Sequence, residues 1–192
     1  MATALAKIGD KGIAIANTDD LAMVVNMAVR SDLCPKQYRG KPNDAMIAAL
    51  SGMRVGWGVM QSLQYIAVIN GRPSMYGDGP TGLALASGKV ASIREWWEID
   101  GKVVNEPNYA TLAEYPDTLS ACWQTWRRDT EEESKVIRFS VSDAKVAKLW
   151  GKIGANGPSA WVTYPKRMLV CRARAWGLRD NYSDALQGIS QA

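Results

Sequence analysis

Apolar and polar positions along this chain change period twice, from helical to alternating and back. Asp19 and Asp20 open the stretch DLAMVVNMAVRS, whose apolar residues recur at helical spacing with acids in the first turn. Asn43 or Asp44 caps a second helix, AMIAALSGMRVG, in which Met46, Ile47, Leu50, Met53 and Arg54 share the helical period. Its Met and Leu positions are expected in the core, while Ala48, Ala49, Ser51 and Gly52 allow a close neighbour. Alternation follows. QYIAVIN runs into Asn70–Gly71 and returns as RPSMYGD, which predicts a β-hairpin with Arg72 at its tip. SIREWWEI, LSACWQTWRR and KVIRFSV alternate as well, and predict a three-stranded antiparallel sheet. On LSACWQTWRR one face holds Ala121, Trp123 and Thr125, and the other Cys122, Gln124 and Trp126.

The helical period then resumes. Ser142 is expected to cap SDAKVAKLWGK, placing Lys145, Lys148 and Lys152 on one helix face. After the loop IGANGPSAW, Pro165 opens a long helix. At about 100° per residue its Leu169, Val170, Ala173 and Trp176 fall on one inward arc. Arg167 and Arg174 lie on one flank of that arc, and Arg172 and Arg179 on the other. The order of helices, then strands, then helices predicts an α+β class, with a small sheet packed by helices and a protruding hairpin. Residues 1–18 read as a flexible arm and residues 19–192 as a single domain. The segment LCPKQYRGKP reads as a basic loop exposing Tyr38 with its cations. GDGPTGLALASG reads as a bend, since it lacks the lysine ending of a phosphate loop.

Composition sharpens the picture. The chain has 192 residues, enough for one ordinary core. Its net charge of +4 leans mildly toward anionic partners. The acids Glu131, Glu132 and Glu133 form a solvated turn. Three cysteines without paired spacing are expected as reduced thiols in a cytoplasmic protein. No signal peptide or membrane-spanning run is evident. Histidine is absent, which removes the commonest general base and zinc ligand.

Enzyme chemistry finds little purchase. Asp100–Gly101–Lys102, with Glu98 nearby, could serve a metal-dependent nuclease, but Asp100 belongs to a hairpin turn that needs no catalytic explanation. Cys171 sits among cations yet has no base. What remains is binding. From Lys166 to Arg179 the long helix carries five cations and no acid, interleaved with Tyr164 and Trp176. Cations that track phosphate beside rings that stack on bases suit a single strand of nucleic acid.

The motif order supports a more specific comparison. LCPKQYRGKPNDAMIAALSGMRVGWGVMQSLQYIAVINGRPSMYGD, ACWQTWRR, RFSVSDAKVAKLWGK and W-x-x-YPKRML-x-x-RAR-x-x-x-LRD-x-x-x-DAL-x-G together resemble phage RecT-family recombinases, single-strand annealing proteins of the RecT/Redβ superfamily. The resemblance implies single-stranded DNA binding and annealing of complementary strands without ATP or other cofactor, in phage recombination inside a bacterial host. It implies homo-oligomeric rings or filaments, with an annealed duplex as intermediate, and a phage exonuclease or host single-strand binding protein as partner. The chain ends at Ala192 soon after the last block, so a partner-contacting tail is expected to be minimal. Expected phosphate contacts are Lys145, Lys148, Lys152, Lys166, Arg167, Arg172, Arg174 and Arg179, with Arg39, Lys41 and Arg72 as further candidates. The alternatives from other classes are the metal-dependent nuclease and a structural phage assembly protein.

Overall fold

The computed structural model describes residues 8–9, 12–13, 15–69, 71–130, 133–154 and 157–191. Most of the expected arm, Asn70 of the hairpin turn, Glu131 and Glu132 of the acidic turn, and residues 155–156 of the loop before the long helix lie outside them. The α+β class holds, with helices around small antiparallel sheets. The chain groups into two compact units, Met1–Gly79 with Gln187–Ala192, and Pro80–Leu186.

The first unit begins with two short paired strands, β1 (Ile8–Gly9) and β2 (Gly12–Ile13). Three helices follow: α1 (Thr18–Val29), α2 (Pro42–Met53) and α3 (Val59–Tyr65). Asn17 caps α1 by accepting from the amides of Asp19 and Asp20, each at 2.9 Å. Contrary to the expected core, α2 buries Ala45, Ala48, Ala49 and Gly52, and leaves Leu50 and Met53 exposed and Met46 half-buried. Close approach decides this. A Cβ on Gly52 would stand 2.1 Å from Ser62 Oγ of α3, so the small residues must face inward. Tyr38, expected in an exposed loop, is buried instead, and its hydroxyl donates to the Ile66 carbonyl at 2.7 Å. Burial pushes that phenol up to about 12.

The hairpin forms as β3 (Ile66–Ile69) and β4 (Arg72–Met75), and β11 (Ser190–Gln191) adds to β4 in parallel. GDGPTGLALASG is not a bend: Gly79–Ala86 is helix α4, begun by Pro80 and carried by Leu and Ala.

The second unit is built on four strands in the order β6-β5-β7-β8, one more than expected. They are β5 (Val90–Ile99), β6 (Lys102–Val104), β7 (Ser120–Arg127) and β8 (Ile137–Ser140). Asp100 and Gly101 join β5 to β6 with φ of 50° and 75°, the left-handed pair that a two-residue hairpin turn needs. Helix α5 (Val141–Val146) follows β8, and β9 (Ile153–Gly154) pairs with β10 (Gly157–Pro158). Then come α6 (Ala160–Thr163) and α7 (Pro165–Tyr182).

α7 lies on the face holding Trp123 and Phe139. It buries Leu169, Ala173, Gly177, Leu178 and Tyr182. The expected arc is thereby turned, since Val170 is half-buried and Trp176 is 40% exposed, edge-on to Phe139 at 5.1 Å. Gly177 is the reason, because a Cβ there would come within 2.0 Å of the Trp123 ring. At the far end, Ser92 and Tyr182 meet Thr125: its hydroxyl donates to the Ser92 carbonyl at 2.8 Å and lies 2.6 Å from the Tyr182 hydroxyl. Arg127 stacks on Tyr182 at 5.3 Å and pairs with Asp184, which also takes Lys89.

Gly177→Ala should therefore destabilise the fold by about 1–3 kcal/mol through overpacking. Gly82→Ala, at an exposed position of α4 with nothing within 4 Å of the new methyl, should stabilise it by about 0.5–1 kcal/mol. Urea unfolding of both variants checks the pair. The guanidinium of Arg127 and the ammonium of Lys89 hold the Asp184 carboxyl well below the usual carboxylate range. Its contribution is complete above the ordinary aspartate value, about 3.9, and is lost as the pH falls below it. Unfolding curves of Asp184→Asn and the parent should converge as the pH drops below about 4.

Candidate functional site

A cleft of about 730 Å³ opens in the second unit beside the first turns of α7. β5 contributes Glu95 and Trp97 to its wall, the 105–118 connection contributes Glu106, Tyr109 and Tyr115, and α7 contributes Lys166, Arg167, Val170 and Arg174. Tyr164, the residue before α7, stands at the cleft and is 68% exposed. Tyr115 is buried below it, packed between Tyr109 at 4.8 Å and Trp150 at 5.3 Å. The size is that of a small-ligand pocket, and one end is aromatic.

The other end is charged. No side chain caps the first turn of α7, Pro165 has no amide hydrogen to satisfy, and Lys166 and Arg167 add cations to the positive end of the helix. Two carboxylates answer them. Lys166 Nζ reaches Glu106 Oε1 at 2.8 Å, and Arg174 forks onto Glu95 at 2.8 and 3.0 Å. Three cations against two acids leave the cleft a net +1, counted over its lining residues. An anion that enters must displace a carboxylate rather than meet a naked cation.

Lys166, Arg167 and Arg174 are the predicted residues that the fold brings together here. Arg172 is half-buried, and burial with the neighbouring Arg179 guanidinium pushes it below the usual arginine range. Arg179 is exposed farther along the helix. The lysine stripe does not form. Helix α5 starts earlier than expected because Ser140, not Ser142, is its cap, in a reciprocal capping box with Asp143. It stops at Val146, where Leu149 N–H bonds the Ala144 carbonyl and Lys148 N–H the Lys145 carbonyl, both at 2.9 Å. That is a Schellman ending, with Lys148 in the left-handed position at φ 55°. Lys145 leans to Asp117 at 2.5 Å, while Lys148 and Lys152 are exposed on the turn and not on a shared helix face.

Arg39, Lys41 and Arg72 belong to the first unit. Arg39 donates to the carbonyls of Cys34 and Asp32, at 3.1 and 2.5 Å, and so braces its own loop. Lys41 and Arg72 are exposed.

The nuclease elements are otherwise engaged. Asp100 makes the β5–β6 turn, and Glu98 is buried and accepts from Arg138 Nε and Trp96 Nε1, each at 2.8 Å. Those donors hold its carboxyl below the usual range. Among the described residues no group of three or more His, Cys, Asp or Glu is placed to hold a metal ion. Cys122 is buried and its thiol is pushed up to about 12 by burial. Among the described residues no helix is long and apolar enough to cross a membrane.

Sequence reasoning missed Glu95, Glu106 and Tyr109. They lie on a strand and a connection far from α7 in the chain, and their only early signal was the polar character of residues 105–118. No protein-family model, curated protein or solved structure matches this chain.

Lys148→Gly should stabilise the protein by about 0.5–1 kcal/mol, because glycine takes the left-handed position without a Cβ clash. Thermal unfolding checks this, and a loss of stability would show that Lys148 makes a compensating contact.

Proposed function

We propose that the chain binds single-stranded DNA through the cleft at the start of α7 and anneals complementary strands without a nucleotide cofactor. The observation that carries the reading is one cleft holding Lys166, Arg167 and Arg174 beside Tyr109 and Tyr164, at an uncapped helix N-terminus. Cations over the phosphate path with rings beside them are the two parts that sequence-tolerant single-strand binding requires. The resemblance of the motif blocks to RecT-family recombinases points the same way. On that resemblance the protein acts as a homo-oligomer in phage recombination, within the bacterial cytoplasm, and performs no bond-making chemistry. Contacts limited to phosphate and sugar leave base edges open to a second strand, which is what annealing needs.

Arg167→Glu should weaken binding to single strands of any sequence alike. The slope of log K against log salt should become shallower by about 0.7 for each phosphate that the variant no longer neutralises. Glu106→Gln should tighten binding, because it removes the anion that competes for Lys166. Fluorescence anisotropy with labelled oligonucleotides measures both, and sequential addition of complementary strands measures annealing. Unchanged affinity in Arg167→Glu, with the fold intact by circular dichroism, would contradict the proposal.

A further inference from the structure

The 105–118 connection carries two acids with different neighbours. Glu106 lines the α7 cleft and pairs with Lys166. Glu114 is exposed and does not line the cleft. Its carboxylate turns back on its own chain instead: Ala110 N–H donates to Oε2 at 3.2 Å, and the Thr111 hydroxyl donates to Oε1 at 2.9 Å. The Glu114 N–H donates in turn to the Thr111 carbonyl at 3.2 Å. One residue thus closes the turn from Ala110 to Glu114 with both carboxylate oxygens and its amide. Ala110, Thr111 and Leu112 of that turn line the cleft.

Tyr109 stands immediately before the turn. Its ring packs on buried Tyr115 at 4.8 Å, tilted by 60°, and Tyr115 meets Trp150 edge-on at 5.3 Å. Burial pushes the Tyr115 phenol up, and the Lys166 ammonium is near enough to offset part of that rise. The ring stack and the first-turn cation of α7 are therefore neighbours. Tyr109 is half-buried, backed by Tyr115 and tethered by the Glu114 turn, whereas Tyr164 at the same cleft is largely exposed. A ring already held in place takes a base at lower entropic cost than one that must first be immobilised.

On the reading of this cleft as a single-strand site, we infer that Tyr109 is its principal base-stacking ring and that Glu114 is a positioning residue. Glu114 touches no part of the strand and holds Tyr109 at the cleft through the Ala110–Thr111 turn. The sign of its effect separates this role from electrostatics. Deleting an acid near a cationic cleft favours a polyanion, which is the expectation for Glu106→Gln. Deleting Glu114 releases the turn, and so weakens the same polyanion.

Anisotropy with the full chain and a fluorescein-labelled oligothymidylate, read across a salt series, tests this. Tyr109→Ala should weaken binding by roughly five- to a hundredfold, as one base stack is removed. Glu114→Ala should weaken it by roughly three- to tenfold, about the worth of one net hydrogen bond. Its salt slope should match the parent's, because no phosphate contact is lost. Glu114→Gln keeps one carbonyl acceptor and should retain most of the affinity. Glu114→Asp keeps the charge but withdraws the carboxylate; it should weaken binding like the alanine, and serves where Glu114→Ala does not fold. The two alanine changes together should cost no more than Tyr109→Ala alone, since one acts through the other. Equal or tighter binding by folded Glu114→Ala, or additive losses in the double variant, would overturn the positioning role and leave the cleft reading to Tyr109→Ala. Should Arg167→Glu and Tyr109→Ala both bind as the parent does, the cleft reading fails and the positioning role with it.

Discussion

The contact between Gly177 and the Trp123 ring sets the geometry of the second unit. With no side chain at Gly177, α7 drops onto the sheet until its backbone meets the indole, and no other residue permits that distance. The seam then runs Leu169, Ala173, Gly177 and Tyr182, all buried, and ends where Tyr182 meets Thr125. Once the seam is fixed, so is the helix rotation. Arg174 falls toward Glu95 of β5, and Lys166 and Arg167 point their end of the helix at the 105–118 connection. The cleft is a consequence of this seating, and its cations are placed by packing that involves none of them.

Placement by packing leaves the electrostatics to be balanced separately. The positive end of α7 and its first-turn cations repel one another, and Glu95 and Glu106 relieve part of that repulsion inside the fold. Such pairs contribute modestly at partly exposed sites. They also keep the cations extended and oriented, so that a phosphate oxygen arriving at the same fork exchanges with a carboxylate oxygen of similar shape. A site of this kind favours a ligand that brings several phosphates at once. A single anion gains little by replacing one carboxylate with itself, whereas a polymer links many such exchanges.

Local rules carried far into this fold. The acids in the first turn of α1, the hairpin, the alternating faces of β7 and the proline opening of α7 were legible because each depends on residues close in sequence. What was illegible depended on distant neighbours. Leu50 and Met53 look like core until Gly52 and Ser62 are seen to demand contact of small surfaces. Trp176 looks inward until Gly177 takes the place above Trp123. The lysine stripe failed for a local reason that pattern alone understates: Ser140 makes a better cap than Ser142, and a Schellman ending stops α5 before Lys148. Of the candidate site, the cations were readable, but the acids and Tyr109 that complete the cleft were not, because pairing across the fold leaves no periodic trace.

Photo-crosslinking of a halogenated-uridine oligonucleotide, followed by mass mapping, tests the central claim most directly. The account places crosslinks on the peptides bearing Tyr164 and Tyr109. Efficient crosslinking with neither peptide modified, or crosslinks confined to residues before Pro80, would contradict it.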